Sequence, residues 1–108
     1  HEAEVYRLKG ELLLAQEGKK QKSKGKGQRA KIEMEAEECF RKAIAIAQHQ
    51  QAKSWELRAA TSLVRLWQRQ GKKDEARQLL SEIYNWFTEG FDTADLQDAK
   101  KLLEELKD

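Results

Sequence analysis

Proline is absent from this 108-residue chain, so no residue lacking an amide donor interrupts its helical stretches. Cysteine occurs once, at Cys39, which excludes an internal disulfide and the bridge-held architecture of small secreted domains. Histidine occurs twice, and neither His1 nor His49 has a companion at metal-ligand spacing, so no metal and no cofactor are expected. No apolar run approaches the roughly 18 residues of a membrane span, and no signal-peptide pattern opens the chain. A cytoplasmic protein without a membrane role is expected. The chain starts at His1, within a helical pattern and without an initiator Met, which points to a segment of a longer protein.

What the sequence does contain is Ala, Leu, Glu, Lys, Arg and Gln, with 37% charged residues. These are strong helix formers, and they predict an all-α domain. Net charge is only +2, but it is unevenly placed. Lys19, Lys20, Lys22, Lys24, Lys26, Arg29 and Lys31 fall in one stretch without acids, leaving 14 basic against 19 acidic residues elsewhere. With no apolar face to offset its ordering entropy, this stretch reads as a solvated basic loop over 19–31 whose last residues can join the next helix.

Apolar periodicity predicts five helices. The first, 3–17, carries Val5, Leu8, Leu12 and Ala15 as its inner stripe, with Tyr6 and Leu13 beside it; Gly10 suits a close helix crossing, and Gly18 a helix end. The second, 32–49, turns Ile32, Ala36, Cys39, Phe40, Ala43, Ile46 and Ala47 inward. Ser54 is a candidate N-cap for the third helix, 55–70, which is apolar on more than one side and should lie between neighbours. Gly71 closes it. The fourth, 74–87, starts with Asp74 and Glu75, which suit a helix N-terminus. A fifth, over 93–106, is capped by Asp92 or Thr93 and presents Leu96, Ala99, Leu103 and Leu106, with Leu102 flanking. Trp55, Trp67 and Trp86 read as core residues, and Trp86, Phe87 and Phe91 as anchors of the last helix.

An internal repeat organises these helices. Ala36, Phe40 and Ala43 recur forty positions later as Ala76, Leu80 and Ile83, whereas Gly18 and Gly71 are 53 apart. The excess of 13 equals the length of 19–31, which makes the basic tract an insertion in the turn of the first hairpin. A forty-residue helix-turn-helix unit bearing Gly10, Gly18, Ala36, Phe40 and Ala43, then Leu63, Trp67, Gly71, Ala76, Leu80 and Ile83, resembles the tetratricopeptide repeat. It departs from that pattern in lacking the proline after the second helix and in the insertion. The resemblance implies a right-handed α-solenoid: hairpin one over 3–49, hairpin two over 54–87 and a capping helix over 93–106.

The last half of the chain, from AKSWELRAATSLVRLWQRQG through NWFTEGFDT to KKLLEEL, is similar to the C-terminal region of bacterial multidomain signalling ATPases, in which tetratricopeptide-like repeats accompany adenylate-cyclase or DNA-binding output domains. None of their catalytic modules is present, so the resemblance implies a regulatory or scaffold segment. The concave face of such a stack is lined by the first helix of each hairpin. By register this gives Glu4, Arg7, Glu11 and Leu14, together with Arg58, Thr61, Arg65, Gln68 and Arg69, as a partner-binding face. Its four arginines suit an acidic peptide or a carboxylate terminus, against the plain alternative of a solvated helix face.

Catalysis is not indicated. Cys39 and His49 are ten residues apart on one predicted helix, roughly 15 Å along its axis, and cannot form a dyad. Gly25-Lys26-Gly27 lacks the first glycine, the following Ser or Thr and the preceding strand of a phosphate loop. The expected function is therefore protein–protein interaction, with a protein, a peptide or another domain of the parent chain. Two alternatives remain: nucleic-acid binding through the basic tract, which lacks interleaved aromatics for base stacking, and self-association, because about two repeats leave a face that a longer array would cover.

Overall fold

The computed structural model describes residues 1–20, 26–87 and 93–107. They form five α-helices and no strand: α1 (Glu2–Lys20), α2 (Lys26–His49), α3 (Lys53–Arg69), α4 (Lys73–Tyr84) and α5 (Ala94–Glu105). The all-α expectation holds. α1 packs on α2 and α3, α3 on α2 and α4, and α5 closes over α3 and α4, in a body of 48 × 35 × 20 Å.

The repeated residues form the centre. Ala36, Phe40, Ala43, Ala76, Leu80 and Ile83 are all buried and share one core with Leu57, Leu63, Val64, Leu66 and Trp67 of α3. α3 is enclosed along most of its length, as its apolar residues on several sides require. The Trp67 indole N–H donates to Glu37 Oε1 at 3.2 Å, so this large ring is buried without an orphaned donor.

Both described inter-helix turns from α2 to α4 use one device. At the end of α3, Gly71 has φ +79 and the Lys72 amide donates to the Trp67 carbonyl five residues back, at 2.9 Å. At the end of α2, Gln51 has φ +54 and the Ala52 amide donates to the Ala47 carbonyl at 2.8 Å. These are Schellman closures, one made with glycine and one with a residue whose Cβ opposes it.

Several boundaries depart from the sequence reading. α1 runs through Gly18 to Lys20, and α2 begins at Lys26, so the basic tract is not one loop: Lys19 and Lys20 end one helix, and Lys26, Arg29 and Lys31 begin the next. Lysine, arginine and glutamine propagate a helix already nucleated by packed residues beyond them. Lys22 and Lys24 lie outside the described residues. α3 starts at Lys53, with Ala52 at the cap position and no side-chain cap, so Ser54 is not its N-cap. α4 ends at Tyr84, short of Phe87. Thr93 does cap α5, its Oγ1 accepting from the Leu96 amide at 3.3 Å. Asp92 and Phe91 lie outside the described residues. The far end of α5 is held by Arg77, whose guanidinium donates to the Leu106 carbonyl at 2.6 and 3.1 Å.

The largest correction concerns α1. Val5, Leu8 and Leu12, the expected inner stripe, are 61%, 51% and 59% exposed, and Ala15 is exposed with them. Ala3, Gly10 and Glu17 face inward, with Tyr6, Leu13 and Leu14 packed against the core. The helix is apolar on two sides, and Gly10 decides which one is buried, because only a residue without a side chain admits the Phe40 ring there.

Candidate functional site

Of the concave-face residues, Arg7, Arg58, Thr61 and Arg65 meet in a cleft of about 220 Å³ between α1, α3 and α5, completed by Ser62, Asp95 and Asp98. Helical spacing brings them together: Arg58, Thr61, Ser62 and Arg65 lie on one side of α3, and Asp95 and Asp98 one turn apart on α5. Ser62 and the two aspartates were not foreseen. Asp95 and Asp98 belong to a helix read only as a cap, although their three-residue spacing on its polar side was visible.

The arginines of this cleft are largely engaged within the chain. Arg7 forms a fork with Glu4, Nε to Oε1 at 2.6 Å and Nη2 to Oε2 at 2.9 Å, and its Nη1 donates to Ser62 Oγ at 3.3 Å. Glu11 lies 3.8 Å from the same guanidinium. Arg58 reaches Asp95 at 3.0 and 3.4 Å and Glu4 at 3.3 Å, and it lies over the Trp55 ring. The Arg7 hydrogen bonds hold the Glu4 carboxyl below the usual carboxylate range against the opposing effect of burial, and the Arg7 and Arg58 charges lower it further. Arg65 has no carboxylate partner among the described residues. Three guanidiniums face four carboxylates here, so the cleft is not the cationic groove that four free arginines would make.

Gln68 and Arg69 point elsewhere. Gln68 donates to Glu105 at 3.2 Å, and Arg69 bridges Glu17 at 3.2 Å and Glu33 at 3.5 Å. Burial pushes the Glu17 carboxyl up, the neighbouring Glu33 carboxylate adds to this, and Arg69 opposes it. Leu14 packs against the core instead of lining the cleft.

The second surface is the outer side of α1. Val5, Leu8, Leu12 and Ala15 follow one another at intervals of three, four and three residues, the spacing of a coiled-coil seam. Beside them, Tyr6 and Leu13 of α1 and Cys39 of α2 floor a groove of about 300 Å³ rimmed by Lys9, Glu35, Glu38 and Lys42. The Lys42 ammonium lies 4.4 Å from the Tyr6 ring centre, and Glu37 pairs with Arg41 at 2.9 Å as its spacing predicts. Trp86, expected in the core, is 57% exposed and lies under the Lys53 ammonium.

No helix among the described residues is long and apolar enough to cross a membrane. Comparison with protein-family models, with curated proteins and with solved structures gave no match.

Proposed function

We propose that this chain is a non-catalytic protein–protein interaction segment, built from tetratricopeptide-like hairpins α1/α2 and α3/α4 with α5 as cap. The observation that carries this reading is the second apolar side of α1, where three large aliphatic side chains in helical register are more than half exposed. Single exposed aliphatics are ordinary, but an aligned row of them marks a contact surface. The right-handed solenoid geometry and a place in a bacterial signalling ATPase, as regulatory scaffold, rest on the forty-residue repeat and on the resemblance of the chain's last half to such proteins. A cytoplasmic location rests on the expectation drawn from the single Cys39. The salt-bridged cleft between α1, α3 and α5 fits a structural role better than capture of an acidic peptide, because its carboxylates already occupy Arg7 and Arg58.

Photo-cross-linking from α1 tests the reading. A photoreactive residue at Leu12 should give a defined protein adduct in the producing cell, lost when Leu8→Glu is added. The same residue at Arg41, on the exposed side of α2, should give none. Adducts at position 65 but not 12 would move the contact to the cleft, and no protein adduct from either surface would contradict an interaction role.

A further inference from the structure

The outer side of α1 has the pattern of a self-complementary helix seam. Val5 and Leu12 occupy one set of core positions, and Leu8 and Ala15 the other. Val5 with Leu8 is the β-branched and leucine combination that favours two parallel strands, and Leu12 with Ala15 continues the seam without adding to that preference. The residues that would face inward in the single chain, Tyr6, Gly10 and Leu13, already pack on α2 and the core. The seam therefore lies opposite the body of the molecule. A twofold axis along a pair of such helices leaves each body on its own far side.

We infer that the occupant of this face is α1 of a second copy of the chain, aligned parallel and in register. This deepens the interaction reading above and rests on it. The flanking charges select the direction. In the parallel arrangement Lys9 of one copy falls beside Glu4 of the other, and Glu11 beside Gln16, whereas the antiparallel one, with position 5 against 15 and 8 against 12, sets Glu11 against Glu11 and Lys9 against Lys9. Glu4 already accepts from Arg7 and Arg58, so avoidance of like charges weighs more than any new ion pair. The seam is short. From Val5 to Ala15 it spans about 15 Å, too little for the roughly 1,200 Å² of a standard stable complex, so the pairing is reversible and depends on concentration.

Two measurements on the full chain test this. In sedimentation equilibrium the apparent mass should rise with loading concentration from 12.6 kDa toward twice that value, and Leu12→Glu should hold it at one chain with unchanged helicity. In a Cys39→Ser background, oxidation should join Leu8→Cys chains to one another, because equivalent seam positions of parallel helices lie within disulfide reach. Mixed Leu8→Cys and Leu12→Cys chains should give mainly like-with-like products. Preferential cross-linking of position 8 to position 12 would overturn the parallel register. A mass of one chain at every concentration, with no disulfide, would overturn the second copy as occupant. The interaction reading then stands or falls separately, on whether position 12 yields an adduct with a different protein.

Discussion

The Phe40 ring lies where a side chain at position 10 would stand: a Cβ built on Gly10 would be 2.5 Å from Cε1 and 2.9 Å from Cδ1 of Phe40. The contact locks the crossing of α1 over α2. Gly10→Ala adds helix propensity worth about 1 kcal/mol but forces a fully buried ring to move in a close-packed core. The expected net result is a loss of about 1–2 kcal/mol, measured by urea unfolding. In a Phe40→Leu background the same substitution should cost less, because leucine lacks Cε1, the ring atom nearest position 10.

Glu4 ties α1 to α3 through Arg7 and Arg58. Its folded value lies below the ordinary 4.5, so its contribution is fully present above pH 4.5 and is lost as pH falls through the depressed value. Glu4→Gln should cost about 1–2 kcal/mol at pH 7, with the difference from wild type closing in acid. Parallel melting curves at neutral and acidic pH check both parts.

Glu17, near the other end of the same helix, has the opposite sign. Burial and Glu33 raise its folded value, so its favourable state is the protonated one, and that advantage fades as pH climbs from 4.5 through the raised value. Glu17→Gln should therefore raise the melting temperature at pH 7 and leave it unchanged well below pH 4.5. A neutral-pH loss would mean that the Arg69 contact at 3.2 Å outweighs the burial of charge.

Gln51 adopts a left-handed conformation that the equivalent turn at position 71 assigns to glycine. Removing the Cβ relieves strain of roughly 1–2 kcal/mol, part of which is offset by the greater freedom of glycine in the unfolded chain. Gln51→Gly should stabilise by about 0.5–1 kcal/mol in chemical denaturation.

The sequence made the helical class, the core triads at 36, 40, 43 and 76, 80, 83, the enclosure of α3 and the close crossing at Gly10 legible, because period and residue size carry that information directly. It did not reveal which side of α1 is buried. Val5, Leu8 and Leu12 are the more hydrophobic set, and transfer energy alone would bury them. The better-fitting set won, since Gly10 permits an approach to Phe40 that no larger residue allows. Two apolar stripes on one helix were already visible and are the sign of two neighbours. The arginines were placed on the right helices, but their partners Glu4, Asp95 and Glu33 depend on side-chain reach across helix pairs, which spacing within one helix does not encode.

The central claim is that the Val5–Leu8–Leu12 face is open in the single chain and covered on association. The most direct measurement is broadening of the Leu8 and Leu12 methyl signals by a soluble paramagnetic agent over a dilution series, with Leu63 as the buried reference. Strong broadening in dilute solution that diminishes as the chain is concentrated, while Leu63 stays protected throughout, is the expected result. Methyls protected even in the dilute single chain, or equally accessible at every concentration, would contradict the account.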